Sequence, residues 1–575
     1  MNKRSSTLLG AVTLAVTMSS AVALAGEIAN YSPVTQQRLN NPEPGNWLLY
    51  RRTYDGHAYS PLDKINTSNV SKLTPVWTFS TGVGEGHQAP LLVNNGVAFI
   101  TTPQNQVLAM NAKTGELIWR YKKQLPEDLF QLHPTNRGVG MWQDKLFLAT
   151  VDAHLVAIDA KTGKQLWDST VEDYKKGHYL TLMPLIVNGK VIVGGSGGEY
   201  GIRGYIAAYD ADTGKQLWRT YTVPGPGEPG SETWQGDDWK SGGGSAWITG
   251  NYDPELNLIY WGTGNAAPWP GDAHPGDNLY TTSVVAIDPE TGKFKNHFQY
   301  HGNDSWDWDE IDPPVLIDME RNGKKIKTLV HPGRDAIFWV LERRADSINF
   351  VDGWKYVYTN VWTNIDKTTG KLTRDPEFTP VVGKKVEFAP SLWGGKDWLS
   401  TAYNEKTKLL YVPANENLTQ SFKGEKVELT PGQLWLGTKV EDIQLGVRKG
   451  WDHIGELQAW DPATGKKAWQ YNFPKSQLFG SVLTTGGGLV FVGGTNDRKL
   501  RALDAKSGKL LWEFVTNSGI TAAPVSFEVD GTQYIAVQSG WGVDAQRIQD
   551  GLAALNIGFT PDVPQGGVIW VFAVK

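Results

Sequence analysis

The sequence predicts an all-β fold: an eight-bladed β-propeller of four-stranded antiparallel blades with tryptophan-docking motifs. Three observations carry that prediction. A strand–turn–strand phrase recurs, its spacing is nearly constant, and Trp (25) outnumbers both Tyr (21) and Phe (18). The first copy runs from Val107 to Trp119. Others run Leu155 to Trp167, Ile206 to Trp218, Val284 to Phe298, Leu457 to Trp469 and Leu500 to Trp512. Each opens with alternating apolar residues, turns at Asp or Asn followed by Thr/Ser-Gly, and returns on a strand ending in an aromatic. Such a turn closes a hairpin because Gly reaches positive φ without steric cost. Asn95-Gly96, Asn188-Gly189 and Asp530-Gly531, each between apolar runs, mark further hairpins.

Spacing counts the units. Trp119 to Trp167 is 48 residues, Trp167 to Trp218 is 51, and Trp469 to Trp512 is 43. Trp119 to Trp512 spans 393 residues, which at about 48 per repeat holds roughly eight periods. Phe298 to Trp469 is 171 residues, room for two degenerate copies with insertions. A radial array buries each sheet face against its neighbour and leaves only short edges, with the repeated Trp as wedge. Residues 26–575 are therefore expected to form a single propeller domain.

Residues 1–25 read as an export signal. Lys3 and Arg4 precede a short apolar run from Leu8 to Val16, and Ala23-Leu24-Ala25 supplies a cleavage site before Gly26. Removal of Lys3 and Arg4 would take the formal charge from −5 to −7. The apolar run is too short to span a bilayer. The expectation is a soluble periplasmic protein. With a pI near 6.1 there is no basic surface to argue for nucleic acid. The chain has no cysteine. That excludes disulfides, Cys-ligated zinc or iron–sulfur sites, a thiolate nucleophile and a covalently attached c-type haem.

Two glycine-rich motifs are decoys. Gly194-Gly195-Ser196-Gly197-Gly198 fits the G-x-S-x-G elbow of hydrolases, but no helical period follows it. Gly225 to Gly230 fits G-x-G-x-x-G, yet contains Pro226 and Pro229 and precedes no amphipathic helix. More informative is His301 to Glu310, with Asp304, Asp307, Asp309 and Glu310 beside Trp306 and Trp308. It reads either as a solvated acidic loop or as a site. In an extended segment Asp307 and Asp309 would project to one side, and flanking tryptophans would desolvate them. Carboxylates facing each other in a dry site repel, and a hard cation with oxygen ligands relieves this.

The blade phrase, as in Asp159-Ala160-Lys161-Thr162-Gly163-Lys164 with Trp167, resembles that of the quinoprotein alcohol dehydrogenases, the methanol/ethanol dehydrogenase-like enzymes that use pyrroloquinoline quinone (PQQ). The resemblance covers nearly all of residues 30–575. It implies that Glu199 in Gly195 to Gly204 and Asn265 in Tyr260 to Trp269 are metal ligands, with Trp269 lining the substrate cavity. Trp306-Asp307-Trp308-Asp309 is similar to the motif that holds the catalytic base. An Asp at the second position, Asp309, is that of lanthanide enzymes, whereas calcium enzymes carry Ala, Ser or Thr. Three negative charges from Glu199, Asp307 and Asp309 also suit a trivalent ion.

Cofactor contacts implied by the resemblance are Ser245 and Trp247 in Gly242 to Trp247, with the indole stacked on the quinone. Arg137 and Arg334 pair with quinone oxygens, and Thr181, Ser196, Gly197, Gly198 and Trp541 make further contacts. Asp397 stands where Asn is usual, Phe479 where Trp is common, and Gln88 where a Glu contacts the quinone. Gln131-Leu132 replaces a vicinal Cys pair carried by many relatives. The implied activity is oxidation of a small-molecule alcohol to the aldehyde or ketone: Asp307 takes the hydroxyl proton, hydride passes to quinone C5, and Arg334 stabilises the reduced oxygen. Without a haem motif, electrons would pass to a separate periplasmic cytochrome c. The resemblance leaves room for a homodimer. Two alternatives stay open, the same enzyme with calcium and a non-catalytic propeller scaffold.

Overall fold

The structure, a computed structural model, describes residues 26–130, 132–557 and 563–575; the export signal and Gln131 lie outside the described residues. Alternating apolar residues pair as short antiparallel strands, and these assemble into eight sheets, seven of four strands and one of five. Blades 1 to 7 follow chain order at 92–122, 139–170, 185–221, 251–299, 315–355, 402–473 and 482–515. Blade 8 joins the two ends of the chain: Leu73–Ser80 pairs antiparallel with Val568–Val574, beside Thr532–Ser539 and Val525–Val529. The Trp spacing thus spans seven blades, and the eighth closes the ring.

Within a blade the first strand is the innermost. In blade 1 Leu92–Asn94 is buried throughout, whereas the fourth strand, Leu117–Lys122, alternates toward solvent. The aromatic on each fourth strand docks on the next blade's hairpin. Trp119 donates its indole N–H to the Ala160 carbonyl at 3.1 Å, and Trp77, Trp218 and Trp469 repeat the contact on Ala112, Pro289 and Ala505. The hairpin glycine serves two ends here. Gly163 has φ +70°, and a Cβ on it would lie 2.6 Å from the Trp119 ring. Trp512 donates to the Leu73 carbonyl, because the chain termini interrupt the corresponding hairpin of blade 8.

Between Phe298 and Trp469 the repeat degenerates, but the gap expected to hold two further copies holds one, blade 5, and the remaining length is insertion; the chain ends supply the eighth blade instead. Phe298 packs against Trp339 and Phe350 of blade 5. Two insertions add a hairpin (Trp362–Ile365 with Leu372–Arg374) and a three-stranded sheet (Lys385–Phe388, Leu418–Lys423, Gln444–Val447). Antiparallel alternation then fixes where chemistry can sit. Connections after the second and fourth strands of every blade emerge on one face, and the Thr/Ser-Gly hairpins on the other. Every sequence-predicted site residue lies on a connection of the first kind. Among the described residues no helix is long and apolar enough to cross a membrane.

Candidate active site

On that face a cavity of about 450 Å3 opens near the axis. Its walls include Arg137, Thr181, Ser196, Gly197, Glu199, Trp247, Asp307, Asp309, Arg334 and Asp397. These residues come from seven different connections, yet share one chamber. Asn265, Ser245 and Gly198 form the layer directly beneath: a Cβ on Gly198 would lie 3.3 Å from Ser245 Oγ and 4.0 Å from Asn265 Oδ1. Gln88, Phe479 and Trp541 do not line the cavity. Phe479 packs edge-on against Trp398, and Trp541 is buried over Gly519, with Gln88 beside Gly542. The two glycine-rich decoys hold to their bland reading: Gly198–Tyr200 is a single 3-10 turn, and 225–230 is loop.

The acidic loop is buried, and it is not extended. Asp307 has φ +66°, a left-handed conformation, so simple strand alternation does not account for the two aspartates. Instead Trp306 and Trp308 stack on each other, centroids 4.9 Å apart, and drive their indoles away from the cavity. Their N–H groups bond the Phe378 and Ser391 carbonyls. Asp307 and Asp309 are left facing the chamber. Asp309 Oδ1 accepts the Asn265 backbone N–H at 2.8 Å, and its Oδ2 accepts the Trp247 indole N–H at 3.0 Å.

Burial pushes the Glu199, Asp307 and Asp309 carboxyls upward, Asp307 most strongly, and the charges of Glu199 and Asp309 add to the effect on Asp307. Two buried acceptors here, Asp307 Oδ1 and Asn265 Oδ1, have no hydrogen-bond partner. Orphaned acceptors beside mutually repelling carboxylates suit a hard cation, since oxygen donors match such ions and neutralise one another's repulsion. Among the described residues the one trio of His or acidic groups whose ligand atoms lie within 4.8 Å is a different one, His301, Glu310 and Asp335. Its two carboxylates are already satisfied, although His301 Nδ1 has no hydrogen-bond partner. Glu310 accepts from His331 Nε2 and from the backbone N–H of Arg334 and Asp335, and Asp335 accepts from Ile337 N–H and the Trp339 indole.

The opposite wall suits a planar anion. Arg137 lies between the Trp247 and Trp398 rings, 4.8 and 4.7 Å from their centroids, and donates to Thr181 Oγ1 at 2.6 Å. Burial lowers its pKa, as expected of a guanidinium short of anionic partners. Arg334 donates to the Asp307 carbonyl at 2.9 Å, pairs closely with Asp397 and lies 3.7 Å from Asp309. The Nε–H of each arginine is buried and unpartnered. Burial pushes Asp397 up to about 6 despite Arg334 beside it. Unmatched guanidinium donors beside an indole fit a flat group bearing carboxylate and carbonyl oxygens.

Fold and site define a propeller enzyme whose central chamber is built for a hard cation beside a flat anionic group. Residues 47–347 and 473–535 match the family described as PQQ: Glucose/ethanol/alcohol dehydrogenase, beta-propeller domain. The quinoprotein alcohol dehydrogenase PedH of Pseudomonas putida is 38% identical, covering 96% of this chain and 95% of its own. A lanthanide-dependent methanol dehydrogenase of Methylacidiphilum fumariolicum is 34% identical, over 93% of each. A solved structure of a europium-containing methanol dehydrogenase superposes with TM-score 0.87 at 33% identity, over 94% of this chain and 99% of that one. The chain belongs to the quinoprotein alcohol dehydrogenases and is a PQQ-dependent oxidoreductase acting on alcohols.

Sequence reasoning missed the rest of the chamber. Leu434, Leu436, Val440, Ile443 and Leu445, from the insertion within blade 6, join Leu392 and Trp393 in an apolar wall. Helix Val543–Ala554 contributes Asp544, Arg547 and Asp550, and Asp544 lies 3.0 Å from His133 Nε2. The insertion carries no repeat phrase, and the helix is short. Only the excess length between Phe298 and Trp469 signalled extra structure there.

Proposed function

We propose that this enzyme is a lanthanide-dependent alcohol dehydrogenase of the periplasm that passes electrons to a separate cytochrome c. The single observation carrying the metal assignment is the set of three carboxylates, the buried Asp307 and Asp309 and the partly buried Glu199, lining one chamber beside the orphaned Asn265 Oδ1 and Asp307 Oδ1. Those four residues would hold the ion, and a trivalent charge matches three carboxylates. The lanthanide and europium in two relatives' names agree with that charge count. Bound PQQ supplies a two-electron hydride acceptor, and the ion supplies Lewis acidity.

The chain's own residues do the rest. Asp307 accepts the alcohol's hydroxyl proton on its chamber-facing carboxylate. Arg334 anchors the Asp307 carbonyl and keeps Nε–H free for a developing negative charge. Trp247 offers a flat platform, while Arg137 and Thr181 orient oxygens at the rim. The apolar wall excludes water from the proton transfer.

Reconstitution with PQQ and lanthanum, assayed with a dye acceptor over primary, secondary and bulky alcohols, tests the reading. Asp309→Ala should abolish lanthanum-supported activity; unchanged activity would overturn the trivalent assignment, and activity with calcium alone would favour calcium in the same site. Turnover with a purified c-type cytochrome replacing the dye tests the electron acceptor. Fractionation with N-terminal sequencing beginning at Gly26 tests export.

A further inference from the structure

Asp307 is a non-glycine residue in the left-handed region, a conformation that persists where its surroundings hold it. Arg334 holds the Asp307 carbonyl from the chamber side, and one carboxylate holds the amides from behind. Asp304 Oδ2 accepts the backbone N–H groups of Trp306, Asp307 and Trp308 at 3.2, 3.0 and 3.3 Å. Three successive amides converging on one oxygen make an anion-binding concavity filled from within the chain. Asp304 is fully buried, and its other oxygen, Oδ1, lies 2.9 Å from His301 Nε2. The His301 ring is itself wedged against Trp306, Trp308 and Trp362.

We propose that Asp304, braced by His301, is a positioning dyad that shapes the Trp306–Trp308 backbone and so aims the Asp307 carboxylate into the cavity. It does not touch the chamber, since neither residue lines it. Its effect passes through backbone amides: without the carboxylate, three buried N–H groups lose their acceptor, and the left-handed turn loses what holds its amides. This inference rests on the proposed role of Asp307 as ligand and base.

The test compares Asp304→Ala, Asp304→Asn and His301→Gln with the parent enzyme. Asparagine retains an oxygen for the amides, so Asp304→Asn should rescue most of what alanine loses. In the metal-free protein, hydrogen exchange at residues 306–308 should accelerate at least about tenfold in Asp304→Ala and remain near parental rates in Asp304→Asn. Terbium(III) affinity, read by tryptophan-sensitised luminescence, should fall about 10- to 100-fold in Asp304→Ala, the range seen when groups orienting a ligand are removed. In the loaded enzyme kcat should fall by a similar factor, with alcohol KM changed less than about threefold. His301→Gln should show the same pattern at smaller amplitude, and it covers the case in which the alanine variant fails to fold. Parental exchange rates, or parental terbium affinity and kcat, in Asp304→Ala would overturn the proposal. If the parent itself binds no terbium, the metal assignment falls, and the exchange rates alone decide the dyad.

Discussion

Two buried acidic clusters lie back to back along the loop from His301 to Glu310, and they are opposite in kind. Glu310 and Asp335, behind the loop, are saturated by backbone N–H groups, His331 and the Trp339 indole. Among Glu199, Asp307 and Asp309, in front of it, Asp307 keeps an unpartnered buried oxygen, Oδ1, and burial pushes all three carboxyls up. A buried carboxylate with every lone pair filled braces the fold. One with a bare lone pair is held in readiness for a ligand, at a cost to the empty protein. The tighter cluster is therefore the structural one, and the looser cluster is the one we propose carries the chemistry.

Substitutions on the two sides should behave oppositely. Asp307→Asn should lower kcat/KM by about 1000-fold or more, because it removes both a proton acceptor and an anionic ligand. The same change should leave the metal-free fold as stable as the parent or more so, since it removes a repelling buried charge. A clear loss of metal-free stability would place Asp307 in the bracing class. Glu310→Gln should do the reverse and destabilise the protein by about 3 kcal/mol or more in denaturant titrations, since it places amide hydrogens where backbone N–H groups need an acceptor.

The pH dependence sharpens the contrast. Burial alone would lower the His301 pKa, but Asp304 and Asp335 outweigh it and push the ring up to about 9. A folded pKa above the ordinary value near 6.5 means a stability contribution fully present below pH 6.5 and lost as pH rises through about 9. Unfolding free energies of the parent and His301→Gln should therefore converge by up to about 3 kcal/mol between pH 7 and 10. A constant difference would mean that His301 is not held as a cation. The smallest effect concerns the front cluster: lanthanum at 100 times its dissociation constant should stabilise the metal-free protein by about 2.7 kcal/mol. Asp309→Ala should forfeit most of that gain, and an equal gain in both proteins would remove Asp309 from the ligand set.

Much of this was legible in the chain. Asp159, Gly163 and Trp167 recur with their counterparts at the right intervals, and each element of the phrase has a mechanical task at a blade junction. Glu199, Asp307 and Asp309 were readable as chamber residues, with Asn265 directly beneath them. Other features were not. Nothing local announced that Leu73–Ser80 would complete a sheet with strands almost five hundred residues away. The expectation of an extended aspartate pair missed the left-handed turn at Asp307. Gln88, Phe479 and Trp541 were placed by likeness, and they are buried without lining the chamber.

Periodicity determined the class of architecture, because a short repeat that buries its faces only against copies of itself leaves the chain few ways to close. It also set the face on which function gathers, since antiparallel strands send alternate connections to opposite ends. Which buried acids remained bare and which were quenched was decided only in three dimensions. That outcome depends on where amides and indoles from distant blades point their hydrogens, and neither composition nor spacing encodes those directions.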